Sequence, residues 1–340
     1  MINPRLLIKV FALILLLTGV FVLKSFLARS SLTVFFESMS FQPKTISTPV
    51  SSSVAAVSSR DVNQQSDEQF NLWLAQLQTS TAAVDQIAKA IYEKEIEPNL
   101  VALKVLLETD PQNSLVHYLL IQACLNQTDA IQCSKNSMLS LRTFESDNGV
   151  VRDLEFLSAY KKGDLSQALS ALNEANHSPY TNDFTHAKFS ALAQSMEKFG
   201  LKRDLQMVAN IEGILEVGLA NHLNSVASIC KENQTQPEWK DACYARGQSL
   251  AERGRDGYSK MMGMSFMKSF GEVSDPAYLK LHNQFKEDLR AANQNSVLWE
   301  TMAAKGWAPS DLQWKEFLTL YETQGDSAAK QYLENVMRKN

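Results

Sequence analysis

From Phe70 onward, apolar residues recur at helical spacing almost without a break, and this period limits the fold more than any other feature of the chain. Phe70, Leu72, Trp73, Leu74 and Leu77 open the pattern, and Val84, Ile87, Ala88 and Ile91 continue it at i, i+3, i+4 and i+7. Breaks recur about every 12–20 residues, at Glu97-Pro98, Asp110-Pro111, Gly163-Asp164, Ser178-Pro179, Gly200, Gln236-Pro237, Asp275-Pro276, Pro309-Ser310 and Gly325-Asp326. Pro in a first turn and Gly just past a last turn are the usual asymmetry of helix ends. Ser310 with Gln313 has the spacing of a capping box. No stretch alternates apolar and polar residues around a hairpin turn. Gly (13) and Pro (9) are too few in 340 residues for a fold built from many turns. The expectation is an all-α chain of twelve to fourteen helices joined by short links, as antiparallel helix pairs in a stacked solenoid or one large bundle.

Charge is unevenly placed. Arg5, Lys9, Lys24 and Arg29 give residues 1–30 a charge of +4 with no acid. The other 310 residues hold 29 basic against 37 acidic side chains, a net of −8. A surface of that sign does not attract a phosphate backbone, so nucleic acid is not an expected partner. It should also be repelled by an anionic membrane surface.

Between Lys9 and Lys24 lie fourteen uncharged residues, VFALILLLTGVFVL. If the two lysines snorkel, the apolar stretch runs over 22 residues from Leu6 to Leu27. At 1.5 Å per residue that is roughly 33 Å, enough to cross a bilayer core. The competing readings are a cleaved signal peptide and a buried soluble helix. Cleavage needs small residues three and one positions before the cut, and the one tolerable place, Ala28-Arg29-Ser30, carries a charge between them. An uncleaved anchor over 1–29 is therefore expected. No Cys precedes Cys124, so a lipid on a processed Cys is not expected. The positive-inside bias is slight and favours a cytoplasmic start to the span. SSLTVFFESMSF (30–41) reads as interfacial, and Pro43 to Gln69, rich in Ser, Thr, Val and Gln, reads as a flexible tether. The division expected is thus anchor 1–29, tether 30–69, and helical regions 70–200 and 201–340.

Three runs carry a resemblance. SAYKKGDLSQALSALNEANHSP (158–179) has a Gly163-Asp164 turn, then Ala168, Leu172 and Ala175 at packing positions and Pro179 at its end. ALKVLLETDPQNSLVHYLLIQAC (102–124) places Ala102 and Leu106 before Asp110-Pro111, with a new helix opening at Ser114. YETQGDSAAKQYLENV (321–336) is a shifted fragment of the same kind. These runs resemble the tetratricopeptide repeat, a 34-residue helix pair, over about residues 98–180. The Trp-Leu-Gly of that repeat's first helix is missing, and the spacing loses step after 180. What the resemblance implies is a body that binds a protein segment in a helical groove.

The four cysteines fall as two close pairs, Cys124 with Cys133 and Cys230 with Cys243, nine and thirteen positions apart. An even count at such spacing reads as disulfides in an oxidising compartment, against the alternative of four buried thiols. Alignment with the helix-pair repeat implies that each pair faces across the mouth of one hairpin. The absence of CxxC leaves neither a zinc ribbon nor a thioredoxin-type site.

Few features carry chemistry. His117, His177, His186, His222 and His282 show no i, i+3 or i+4 pairing, so no metal is expected. KMMGMSFMKSF (260–270) is Met-rich; copper binding is conceivable, but core or partner-groove packing is the plainer reading. GRDG (254–257) lacks any phosphate-loop pattern and reads as a turn, so no cofactor is expected. There is no GxSxG and no SxxK with SDN. Glu212 and Glu216, one turn apart, are the candidates for an acid and a base like those of helical cell-wall enzymes; a solvated helix edge is the simpler reading. The expected function is a periplasmic interaction protein held at the inner membrane, with a cell-wall enzyme or a structural spacer as rivals.

Overall fold

The computed structural model describes residues 59–92, 96–125, 130–219 and 221–339. The expected anchor and most of the tether, to residue 58, lie outside the described residues, as do the side chains of Cys133 and Glu216. Fifteen helices occupy the described residues: α1 Ser59–Thr79, α2 Ala83–Tyr92, α3 Ile96–Thr109, α4 Ser114–Leu125, α5 Ala130–Phe144, α6 Gly149–Lys161, α7 Leu165–His177, α8 Thr185–Lys198, α9 Leu205–Leu219, α10 Asn221–Glu232, α11 Pro237–Arg253, α12 Gly257–Phe270, α13 Pro276–Ala304, α14 Asp311–Gln324 and α15 Asp326–Met337. The only β pairing among the described residues is two isolated bridges, Asn148 with Tyr180 and Thr181 with Gly254. The chain is all-α, and none of its described helices is long and apolar enough to cross a membrane.

The breaks fall where the sequence puts them. Gly163 takes a φ of 78°, and the carboxylate of Asp164 then caps α7 by accepting from the Gln167 N–H at 2.9 Å. Ala168, Leu172 and Ala175 of α7 are buried. Pro237 and Pro276 open α11 and α13, and Ser310 with Gln313 forms the reciprocal capping box at α14. One boundary differs. The first helix begins at Ser59, inside the stretch read as tether. Its Gln-, Asp- and Glu-rich start has no apolar period of its own, but it continues a helix anchored further on by Trp73 and Leu77, both buried.

Neighbouring helices pair as hairpins, α4 with α5, α6 with α7, α11 with α12 and α14 with α15. The hairpins also close on distant partners: α2 packs on α8, and α7 on α11. Two large apolar cores and a small one result. One large core joins α3 to α7 with α10, α11 and α12; the other joins α1, α2, α8 and α9 with α13, α14 and α15; the small one joins Met264 and Met267 of α12 to Tyr278 of α13. A polar clamp closes the second large core. Trp73 Nε1 donates to Ser195 Oγ at 3.0 Å, and Ser195 donates in turn to Asp85 at 2.7 Å. Asp85 also accepts from Ser80 and Lys198. Burial alone would raise the Asp85 pKa, but these donors hold it below the usual carboxylate value.

The Met-rich helix is core. Met264, Phe266, Met267 and Phe270 are buried, and α12 crosses α11 at two glycines. A Cβ at Gly247 would lie 2.7 Å from the Met267 nitrogen, and one at Gly263 would lie 2.4 Å from the Ala251 nitrogen. Both contacts are with backbone, which cannot swing aside. Gly247→Ala should therefore destabilise the body by about 1–3 kcal/mol in urea unfolding; an unchanged midpoint would contradict this crossing.

Candidate functional site

The segment from Ser178 to Phe184 is a loop that runs through the interior, with Thr181, Asn182 and Asp183 buried. Its backbone polar groups need partners there, and the flanking helix ends supply them. Gly149 N–H donates to the Tyr180 carbonyl at 2.8 Å, Thr181 N–H to the Arg253 carbonyl at 3.2 Å, and Arg255 N–H to the Thr181 carbonyl at 3.1 Å. The Asn148 side chain bonds both the carbonyl and the N–H of Asn182. Gly149 permits this approach, since a Cβ there would meet Thr181 Oγ1 at 2.7 Å. Phe184 closes the loop in the left-handed region, φ 65°, with its ring 4.9 Å from that of Tyr118.

Arg246 of α11 reaches into this loop. It and Asp153 of α6 are both 0% exposed and form a bidentate pair, Nε to Oδ1 at 2.9 Å and Nη2 to Oδ2 at 2.5 Å. The remaining guanidinium N–H groups turn to Thr181 Oγ1, Ser249 Oγ and the Ala175 carbonyl. One buried cation thus ties α6, α7, α11 and the loop together. Neither residue stood out in the sequence. The available signal was position: Arg246 lies four residues from both Ala242 and Leu250, within the apolar stripe of α11.

This packing shapes two open grooves on the two sides of α7. One, of about 540 Å³, runs past Ser146, Asp147, Arg152, Asn173, Glu174 and His177. The other, of about 420 Å³, lies between α7 and α11. Asn176, Ala242 and Ser249 make the buried floor of the second, and Glu238, Asp241, Gln248, Glu252 and Arg253 stand along α11. Asn176 Nδ2 donates to the Ala242 carbonyl at 3.0 Å, and Cys243, the next residue, is bonded to Cys230 with Cα atoms 5.9 Å apart. The disulfide therefore staples α10 to α11 beside the groove floor.

A second polar cluster is fully enclosed. Lys188 Nζ pairs with Asp183 at 3.1 Å and lies 4.8 Å above the Tyr118 ring. Tyr118 Oη stands 3.4 Å from His222 Nδ1, and the His222 Nε2 is buried with no partner among the described residues. Burial lowers the His222 pKa and raises that of Tyr118. Asp183 would be pushed up by burial, but the Lys188 charge and the Thr185 hydroxyl bring it below the usual value. Asp256, which caps α12 through Ser259, is raised to about 7 by burial and then by the Asp183 charge. Because the folded pKa is raised, folding retains a proton that the unfolded chain releases, so this stabilisation fades as pH climbs from about 4 through about 7. Asp256→Asn keeps the cap and should stabilise the body at pH 8 by on the order of 2 kcal/mol while changing little near pH 4. Equal shifts in Tm at the two pH values would contradict it.

Of the two candidate acids, Glu212 is the one whose side chain is described. Its Oε1 lies 2.8 Å from Lys330 Nζ of α15, away from both grooves. Cys124, at the end of α4, is in a disulfide. The five histidines are dispersed: His117 and His222 are buried, His177 lines both grooves, His186 bonds Asn182, and His282 stacks on Tyr278. Among the described residues no three His, Cys, Asp or Glu side chains converge to hold a metal. Comparison of the chain with protein families, curated proteins and solved structures finds no match.

Proposed function

We propose that this protein is an interaction module, a helical body held at the inner membrane through residues 6–27 and working in the periplasm. A protein segment lies in a groove beside α7, which belongs to the stretch of about residues 98–180 that resembles tetratricopeptide units. The observation that carries this reading is the pair of open polar grooves along α7, braced from beneath by the buried Arg246. The Cys230–Cys243 bond supports an oxidising compartment. The net charge of −8 on residues 31–340 argues for a protein partner over nucleic acid. The enzyme reading is weakened by Glu212, whose carboxylate is neutralised by Lys330 and borders neither groove.

The test is a comparison of two substitutions in a strain whose own copy is deleted. Gln248→Trp fills the α7–α11 groove and should abolish complementation with the fold intact. Glu212→Gln, nearly equal in volume, should complement fully. Loss of function in Glu212→Gln with a normal Gln248→Trp would make the protein an enzyme. Full complementation by both would leave a spacer. The anchor has its own check: a reporter active only in the periplasm, fused after Asn340, should be active, and mature protein starting near Ser31 would contradict an anchor.

A further inference from the structure

We infer that the groove between α7 and α11 receives an extended peptide segment carrying Lys or Arg side chains. This rests on the interaction reading above and adds the chemistry of the partner. The first observation is a pair of unmet hydrogen-bonding atoms. Asn176 is 9% exposed, and its Nδ2–H is committed to the Ala242 carbonyl, which fixes the amide orientation and leaves Oδ1 unpaired in the groove floor among the described residues. Arg253 gives Nη2–H to the Asn176 carbonyl, while its buried Nε–H also has no partner there. Both residues line the groove, and one acceptor with one donor is the complement of a peptide unit, whose N–H would meet Asn176 Oδ1 and whose carbonyl would meet Arg253 Nε once the entering segment uncovers these two buried atoms.

The second observation is charge. Glu238, Asp241 and Glu252 face the groove from α11 against the single cation of Arg253. No ion pair among the described residues engages any of the three acids. From Glu238 to Glu252 the helix rises about 21 Å, the length of about six extended residues. A strand of that length carries cationic side chains to acids at both ends while its backbone passes the Asn176–Arg253 pair. An acidic segment would be repelled. A polyamine would meet the acids but offers Arg253 no carbonyl.

The experiment titrates the full-length protein with hexalysine, hexaglutamate and spermine by calorimetry, in the parent, in Glu238→Gln/Asp241→Asn and in Asn176→Leu. Hexalysine should bind, at least tenfold more weakly in the double variant and about tenfold more weakly in Asn176→Leu. Spermine should bind less tightly and ignore Asn176→Leu, and hexaglutamate should not bind. Absent hexalysine binding, or binding unchanged in the double variant, would overturn the inference. Equal binding of spermine and hexalysine with no effect of Asn176→Leu would overturn it too, reducing the site to a bare acidic patch. The double variant alters only groove-facing carboxylates outside any ion pair, so it decides even if Asn176→Leu does not fold. A cellular partner that enters the groove through an acidic or apolar segment would refute this inference and leave the interaction reading standing. Full complementation by Gln248→Trp would remove both.

Discussion

Asp153→Ala is expected to destabilise the body by about 3–5 kcal/mol, the usual penalty when one half of a buried ion pair is removed. Arg246 is 0% exposed, so loss of Asp153 strands its guanidinium in the core with only neutral acceptors, Thr181 Oγ1, Ser249 Oγ and the Ala175 carbonyl. The double change Asp153→Leu/Arg246→Met removes both charges and should recover much of the loss, because the pair itself contributes little beyond its own desolvation. Urea unfolding of the three proteins checks this. A loss under about 1 kcal/mol in Asp153→Ala would mean that water reaches Arg246 and that the described packing is wrong. The recovered double variant should still be impaired in binding, since Thr181 is then held to α11 only by its backbone bond to Arg253 and loses the side-chain bonds that fix the loop against the middle of that helix.

Loss of the Cys230–Cys243 bond, by Cys230→Ala/Cys243→Ala, should cost about 3 kcal/mol, the loop-entropy value for a loop of this length. The bond joins positions thirteen apart across the short α10–α11 link, and both sulfurs are buried, so the variant leaves two small cavities as well. The effect should concentrate near the start of α11, where Ala242 accepts from Asn176. Hydrogen exchange at residues 237–245 should rise in the variant more than exchange in α14 or α15, which belong to the other core. Uniform acceleration across the body would contradict a local staple. Four alkylatable thiols in protein taken from its native compartment would contradict both the bond and the compartment.

The sequence was legible where the physics is local. Helical period, Pro at first turns, Gly163 and the Ser310 capping box act within a few residues, and each appears where expected. The cysteines were also close in sequence, and Cys230 and Cys243, thirteen apart, are joined as the repeat resemblance implied. What was hidden depends on residues far apart in the chain. Asp153 and Arg246 are 93 positions apart, and Trp73 reaches Ser195 across 122, so neither partner announces the other. The buried loop at 178–184 looked like ordinary helix punctuation, since Ser178-Pro179 ends a helix whether or not the turn is covered. Gly247 and Gly263 sat unremarked in helices because only the crossing of α11 over α12 requires them. The Glu212–Glu216 spacing could not show Lys330, which pairs with Glu212 from α15, 118 positions away.

The central claim is that a partner segment occupies the grooves beside α7. The most direct measurement places a photo-crosslinking residue, in living cells, at Asn173 and at Gln248, which line the grooves, and at Leu312, which is exposed on α14. The grooves predict the same discrete protein adduct from Asn173 and Gln248, lost when Trp replaces Ala245, and no such adduct from Leu312. Adducts of equal yield from all three positions, or none from the two groove positions while Leu312 crosslinks, would contradict the claim.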